Sequence, residues 1–175
     1  MLALYGPPLH LLRRFVGSIR SGGPSEADRS WAVGHLLPSE ADLWARLSNA
    51  DRRHAVAVAR GVMDRLGEAE RPVVAAALLH DVGKLASGLG TAGRVVATLV
   101  AVTVRPTTVD SWSKVLGFRR RVADYLRHPE EGAALLAEAG SDPLTVAWAT
   151  EHHWPPRHWT VDPRVGEALA EADAD

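Results

Sequence analysis

The sequence predicts an all-α protein, a single-domain helical bundle. Apolar residues recur at helical spacing along nearly the whole chain, no segment alternates as a half-buried strand would, and Pro, Gly or Ser-Asp breaks divide it into helix-length pieces. At 175 residues the chain is long enough for one sizeable core and short for two.

Leu9, Leu12, Val16 and Ile19 form one face of a first expected helix, with Arg13, Arg14 and Arg20 elsewhere on it. Such a face packs on a core or lies on a membrane surface. SGGPS at 21–25 is a loop, and helices are expected at 26–36 and 39–48, the second with Ser39 and Asp42 in a capping-box spacing. Residues 1–48 are thus expected as N-terminal helices packed on the main body, residues 49–175.

Ala55, Val58, Ala59, Val62, Met63 and Leu66 follow the i, i+3, i+4 rule and stop at Gly67, which specifies an amphipathic helix. The next helix, 72–86, begins at a proline and is apolar all round from Val73 to Leu79, so it belongs at the centre. Further helices are expected at 91–104, 110–126, 129–139, 143–153 and 163–174, with no internal repeat and no low-complexity stretch.

Composition narrows the function. With 46% apolar and 23% charged residues and a formal net charge of −1, the chain has an ordinary globular balance and no overall basic character for a stable nucleic-acid complex. It has no cysteine, so any metal must be held by His and carboxylate, and a reducing, cytoplasmic setting is expected. The longest apolar run, 95–104, is about half of the roughly 20 residues that span a bilayer, and the early prolines do not suit a signal peptide.

Eight histidines are present, and their positions on the helices separate them. His54 stands one and two turns before Val58 and Val62, on the face that packs. His80 and Asp81 leave the central apolar helix near its C-terminal end. His128 precedes Pro129 and is expected to be extended just before a helix, with Gly132 allowing another backbone to come close. His152 and His153 end a helix before Trp154-Pro155-Pro156, while Asp162 and Asp173 flank the last one. A lone buried histidine is usually a hydrogen-bonded structural residue. Five histidines and an aspartate at helix ends in one small domain point instead to a divalent cation that compensates all of them.

These residues resemble the HD superfamily of metal-dependent phosphohydrolases, an all-α family named for adjacent His-Asp ligands. The resemblance rests on RRHAVAVA at 52–59, AALLHDVGK at 76–84, HPEEGAALL at 128–136, EHHWPP at 151–156 and ALAEAD at 168–173. It implies that 49–175 is an HD domain in which His54, His80, Asp81 and Asp173 form a primary metal site. Asp81 would bridge to a second ion held by His128, His152 and His153, with Asp162 and Asp175 as substitutes for Asp173. The ligand order is similar to the HD-GYP branch, whose GYP signature is replaced here by Trp-Pro-Pro-Arg-His-Trp.

The implied activity is hydrolysis of a phosphomonoester or phosphodiester of a small, nucleotide-like substrate by metal-activated hydroxide. One or two divalent ions would serve, with Mn, Fe, Mg, Zn, Co and Ni all compatible. In that reading Asp81 orients the metals, and Lys84, one turn after His80, points at the substrate phosphate or at the bridging oxygen. Arg119, among Arg119 to Arg121 and Lys114, is a candidate phosphate contact. Trp154, Trp159 and Arg157 could wall the pocket after His153 and stack on a base, or Trp-Pro-Pro could only close the core. The alternatives are a nucleotide-sensing or scaffold module with a structural metal site and a di-iron oxygenase; a homodimer is compatible with each.

Overall fold

The computed structural model describes residues 22–101, 103–104 and 106–175, and the expected helix at Leu9 to Ile19 lies outside them. The expected all-α architecture is found. In chain order the helices are α1 (Glu26–Val33), α2 (Pro38–Arg46), α3 (Asn49–Leu66), α4 (Arg71–Leu79), the single turn α5 (Lys84–Ser87), α6 (Thr91–Ala101), α7 (Pro106–Trp112), α8 (Phe118–Leu126), α9 (His128–Glu138) and α10 (Pro143–Glu151). A 3-10 turn at Pro156–His158 then leads into α11 (Pro163–Ala174).

The apolar content of α4 explains its place. All residues from Val73 to Leu79 are buried, and the helix is surrounded by α2, α3 and α10. On one side α11 packs against α3; on the other, α9 packs against α10 and α5, and α5 against α8. One continuous core runs from Ala32 and Trp44 in the first helices to Leu169 and Ala172 in the last, so residues 22–48 share the packing of the main body. A smaller cluster of Leu89, Ala97 and Val122 joins α6 to α8.

Several boundaries differ from expectation. The helix starting at Ala55 begins six residues earlier, where the Ser48 hydroxyl accepts from the amide of Asp51 and caps it. The expected capping pair of Ser39 and Asp42 is absent: Glu40 accepts from the amide of Leu37, and the Ser39 hydroxyl donates to the Ala139 carbonyl. The helix expected over 110–126 is two, because Gly117 has φ +86° and a right-handed helix cannot continue through it.

The helix expected over 72–86 also breaks, at residues 80–83. There the hydrogen bonds tighten to i+3 spacing, from Val82 to Leu79 and from Lys84 to Asp81. The cause is packing. Gly83 lies against the start of α9, where a Cβ would be 2.5 Å from the Gly132 nitrogen and closer still to the His128 carbonyl oxygen. The close approach expected at Gly132 is therefore real, and its partner is Gly83. His128 is not extended before the helix but opens it, with Pro129 in the first turn, where a missing N–H costs no helical hydrogen bond.

Among the described residues no single helix is long and apolar enough to cross a membrane.

Candidate metal centre

Three histidines share one local device. His80 Nδ1 donates to the Ala77 carbonyl at 2.9 Å, His128 Nδ1 to Tyr125 at 2.9 Å and His152 Nδ1 to Ala149 at 2.9 Å. In each case the acceptor is three residues back, where a helix or turn leaves a carbonyl within reach of the ring. A carbonyl can only accept, so Nδ1 carries a proton and Nε2 is left to face the interior. All three Nε2 atoms are buried and make no hydrogen bond. A buried imidazole nitrogen without a partner costs about 1–3 kcal/mol, and a cation shared by the three would offset that cost.

They converge on Asp81. His80 Nε2 is 3.4 Å from Asp81 Oδ2, while His128 Nε2 and His152 Nε2 are 3.4 Å and 4.0 Å from Oδ1. The two carboxylate oxygens therefore face two different groups of histidines. His54, His80 and Asp81 form one group, and His128, His152 and His153 the other; within each group, one ligand atom per residue lies within 4.8 Å of the others.

Asp173 belongs with the first group. Its Oδ1 is 2.7 Å from His54 Nε2 and 3.6 Å from His80 Nε2. The last turn of α11 is held in place by Leu169 and Ala172 in the core. The two substitutes are occupied elsewhere: Asp162 caps α11 by accepting from Arg164 and Val165, and Asp175 pairs with Arg65.

Electrostatics distinguish the two groups. Burial opposes a charge on His80, but the carboxylates of Asp81 and Asp173 outweigh it and raise its pKa to about 10. Burial also opposes ionisation of Asp81, yet Lys84 and His80 hold its carboxyl well below the usual range. In the second group, burial and neighbouring imidazoles push His152 well below the ordinary histidine value, and burial with His128 lowers His153 to about 4. The first group thus keeps a proton where a cation would sit, while His152 and His153 are neutral and ready to ligate.

The sign of the pH dependence follows. His80 titrates near 10 in the folded protein against about 6.5 when unfolded. Without metal, its contribution to stability is full below about pH 6.5 and is lost as pH rises through 10. A metal entering the first group must displace that proton, so its affinity should rise about tenfold per pH unit between pH 7 and 9. Calorimetric titration in buffers of different ionisation enthalpy should show proton release from His80 on metal binding at pH 7.5. Binding without proton release would contradict this charge assignment.

Other sequence candidates lie differently. Lys84 is buried, and its Nζ pairs with Asp81. Arg119 sits over the Trp112 ring at 5.9 Å, and Arg121 donates to the carbonyls of Ser87 and Gly88. Arg157 is exposed and donates to His158, and Trp154 is exposed beside the histidine pair in sequence. Trp159 is not a pocket wall. Its ring lies on Gly166 and against Trp148 at 5.4 Å, with Nε1 donating to the Glu151 and Trp154 carbonyls.

Sequence reasoning passed over Asp51, one turn before His54. It accepts from Arg94 at 2.6 Å, and burial is outweighed by Lys84 and Arg94 in lowering its pKa. The available signal is the helical spacing from Asp51 to His54, which places a carboxylate beside the ligand face. No protein-family model, curated protein or solved structure matches this chain.

Proposed function

We propose that the chain is an HD-type phosphohydrolase that cleaves a phosphomonoester or phosphodiester of a small, nucleotide-like substrate with one or two divalent ions. The observation that carries this reading is the convergence of three oriented, buried Nε2 atoms on the two oxygens of Asp81. His54, His80, Asp81 and Asp173 would hold one ion and His128, His152 and His153 the other, with Asp81 common to both. Bound there, divalent ions supply an acidified water at neutral pH and neutralise phosphoryl charge.

The chain's own contribution is orientation and access. Backbone carbonyls fix His80, His128 and His152, and such outer contacts typically contribute about 10–100-fold to metal affinity. Lys84 acts on Asp81 instead of on substrate: it keeps the buried carboxylate ionised and turned toward the histidines. The substrate side is the open edge of the cluster, since the His54 and Asp173 side chains are 28% and 19% exposed against 2% for His80. A phosphate arriving there meets the ligand groups without displacing the core.

The test is metal analysis of the purified chain by mass spectrometry together with a phosphoester panel. Bound divalent metal, and hydrolysis abolished by chelation and restored by metal, are expected. Metal-free protein whose stability is unchanged by added ions would overturn the reading. Oxygen-dependent turnover would replace it with an oxygenase, and tight nucleotide binding without product with a sensor.

A further inference from the structure

Eight large apolar side chains are exposed among the described residues, and six of them fall within one short stretch: Val95, Val96 and Leu99 on α6, Val115 and Leu116 in the turn after α7, and Phe118 at the start of α8. Leu116 is 94% exposed and Leu99 63%. Helix α6 uses its other face, Ala97 and Val100, to pack on α8, so it is apolar on both sides while the described residues cover only one. A helix of that kind ordinarily has something on its second face.

Charge identifies what that is. Residues 91–127 carry seven Arg or Lys and two Asp, in a chain with 20 basic and 21 acidic residues in total, and of the seven Arg94 pairs with Asp51 and Arg120 with Asp124. Lys114, Arg119 and Arg127 are exposed within this stretch. The combination of protruding apolar side chains and a surplus of cations matches an anionic bilayer surface, where apolar groups enter the acyl boundary and Lys and Arg meet the headgroups. A second copy of the chain would set this positive stretch against itself. Residues 1–21 contain three Arg and no acidic residue, so they would add to the repulsion if they covered the face from within. Nucleic acid would satisfy the cations but leave Leu99, Leu116 and Phe118 in water.

We infer that α6 and the α7–α8 turn form a docking surface for an anionic lipid bilayer, on which the protein lies without spanning it. Helix α8 runs from this surface to His128 at the start of α9, so docking would place the second histidine group close behind the membrane-facing element.

The experiment is cosedimentation of the full chain with large vesicles of phosphatidylcholine alone or of phosphatidylcholine and phosphatidylglycerol at three to one. Binding to the anionic vesicles, weakened by 0.5 M NaCl and by omission of phosphatidylglycerol, is expected. Leu99→Asp with Leu116→Asp should reduce partitioning by about tenfold or more, the scale of withdrawing two apolar side chains from lipid. Lys114→Glu should reduce it by about fivefold. Thermal melting followed by circular dichroism should match wild type for both variants, because these side chains are solvent-facing. The inference is overturned if wild type fails to bind anionic vesicles or if binding is unchanged in the Leu99→Asp, Leu116→Asp protein. It is equally overturned if the chain binds duplex DNA but not vesicles, or if sedimentation velocity shows a dimer that this double variant dissociates.

Discussion

Asp81→Asn is expected to leave a folded protein that no longer holds both metal groups in register. The substitution keeps the shape of the side chain and removes the charge on which His80, His128 and His152 converge. Turnover of a phosphoester should fall by on the order of 10²–10³ or more, the scale of removing one preorganised electrostatic group from a reaction site. Bound metal measured by mass spectrometry should fall with it. Asp81→Ala should do further damage in the metal-free state. Both substitutions leave the buried Lys84 without its charge partner, a state that costs about 3–5 kcal/mol, but Asn keeps an amide oxygen that can accept from Nζ and Ala keeps none. The comparison of Asn with Ala therefore separates loss of the charge from loss of the hydrogen-bond acceptor and the side-chain volume. Asp81→Asn retaining wild-type metal and turnover would remove the central claim about this site.

The candidate ligand face is legible in the sequence because His80, His128, His152 and His153 fall near helix ends and His54 falls on an apolar face of known phase. His54 shares a face with Val58 and Val62, and His152 follows Trp148 and Leu144 by one and two turns. Helical periodicity carries that information along one element at a time. It does not report which element lies opposite. Thus the backbone contact between Gly83 and His128 could be anticipated only as a close approach at Gly132, without its partner. Lys84 illustrates the same limit. Its spacing places it beside the candidate ligands, but only the turn at 80–83 decides that the side chain bends back to Asp81. Asp51 escaped notice because its role depends on Arg94, 43 residues away.

Helix ends were less legible than helix faces, for a physical reason. Periodicity marks the residues that are buried, and the first turn of α3, with Asn49, Asp51, Arg52 and Arg53, is mostly polar. The signal that starts this helix is a single hydroxyl, Ser48, worth about 1 kcal/mol. Likewise Trp159 was placed by its neighbours in sequence, whereas its position is set by the absence of a side chain at Gly166, where a Cβ would lie 2.6 Å from the ring.

Gly83→Ala should be the most damaging single-methyl change near the site. Its φ is −63°, so alanine meets no backbone penalty there and, in an isolated turn, would favour the helical conformation. Local propensity therefore predicts slight stabilisation. Packing predicts the opposite, because the new Cβ has no soft neighbour to push aside: it meets the His128 carbonyl and the Gly132 nitrogen, both backbone. Either α9 moves away or the 80–83 turn opens. The first outcome carries His128 out of its position 3.4 Å from Asp81, and the second displaces His80 and Asp81 themselves. Overpacking in a close-packed interior costs about 1–3 kcal/mol, and a rigid backbone partner puts this position at the upper end. The expected result is a protein with a lower melting temperature, less bound metal and little hydrolysis, even though no ligand was altered. Thermal melting with metal analysis on the same sample checks it, and a Gly83→Ala protein more stable than wild type with full metal content would show that α5 and α9 do not approach as closely as described.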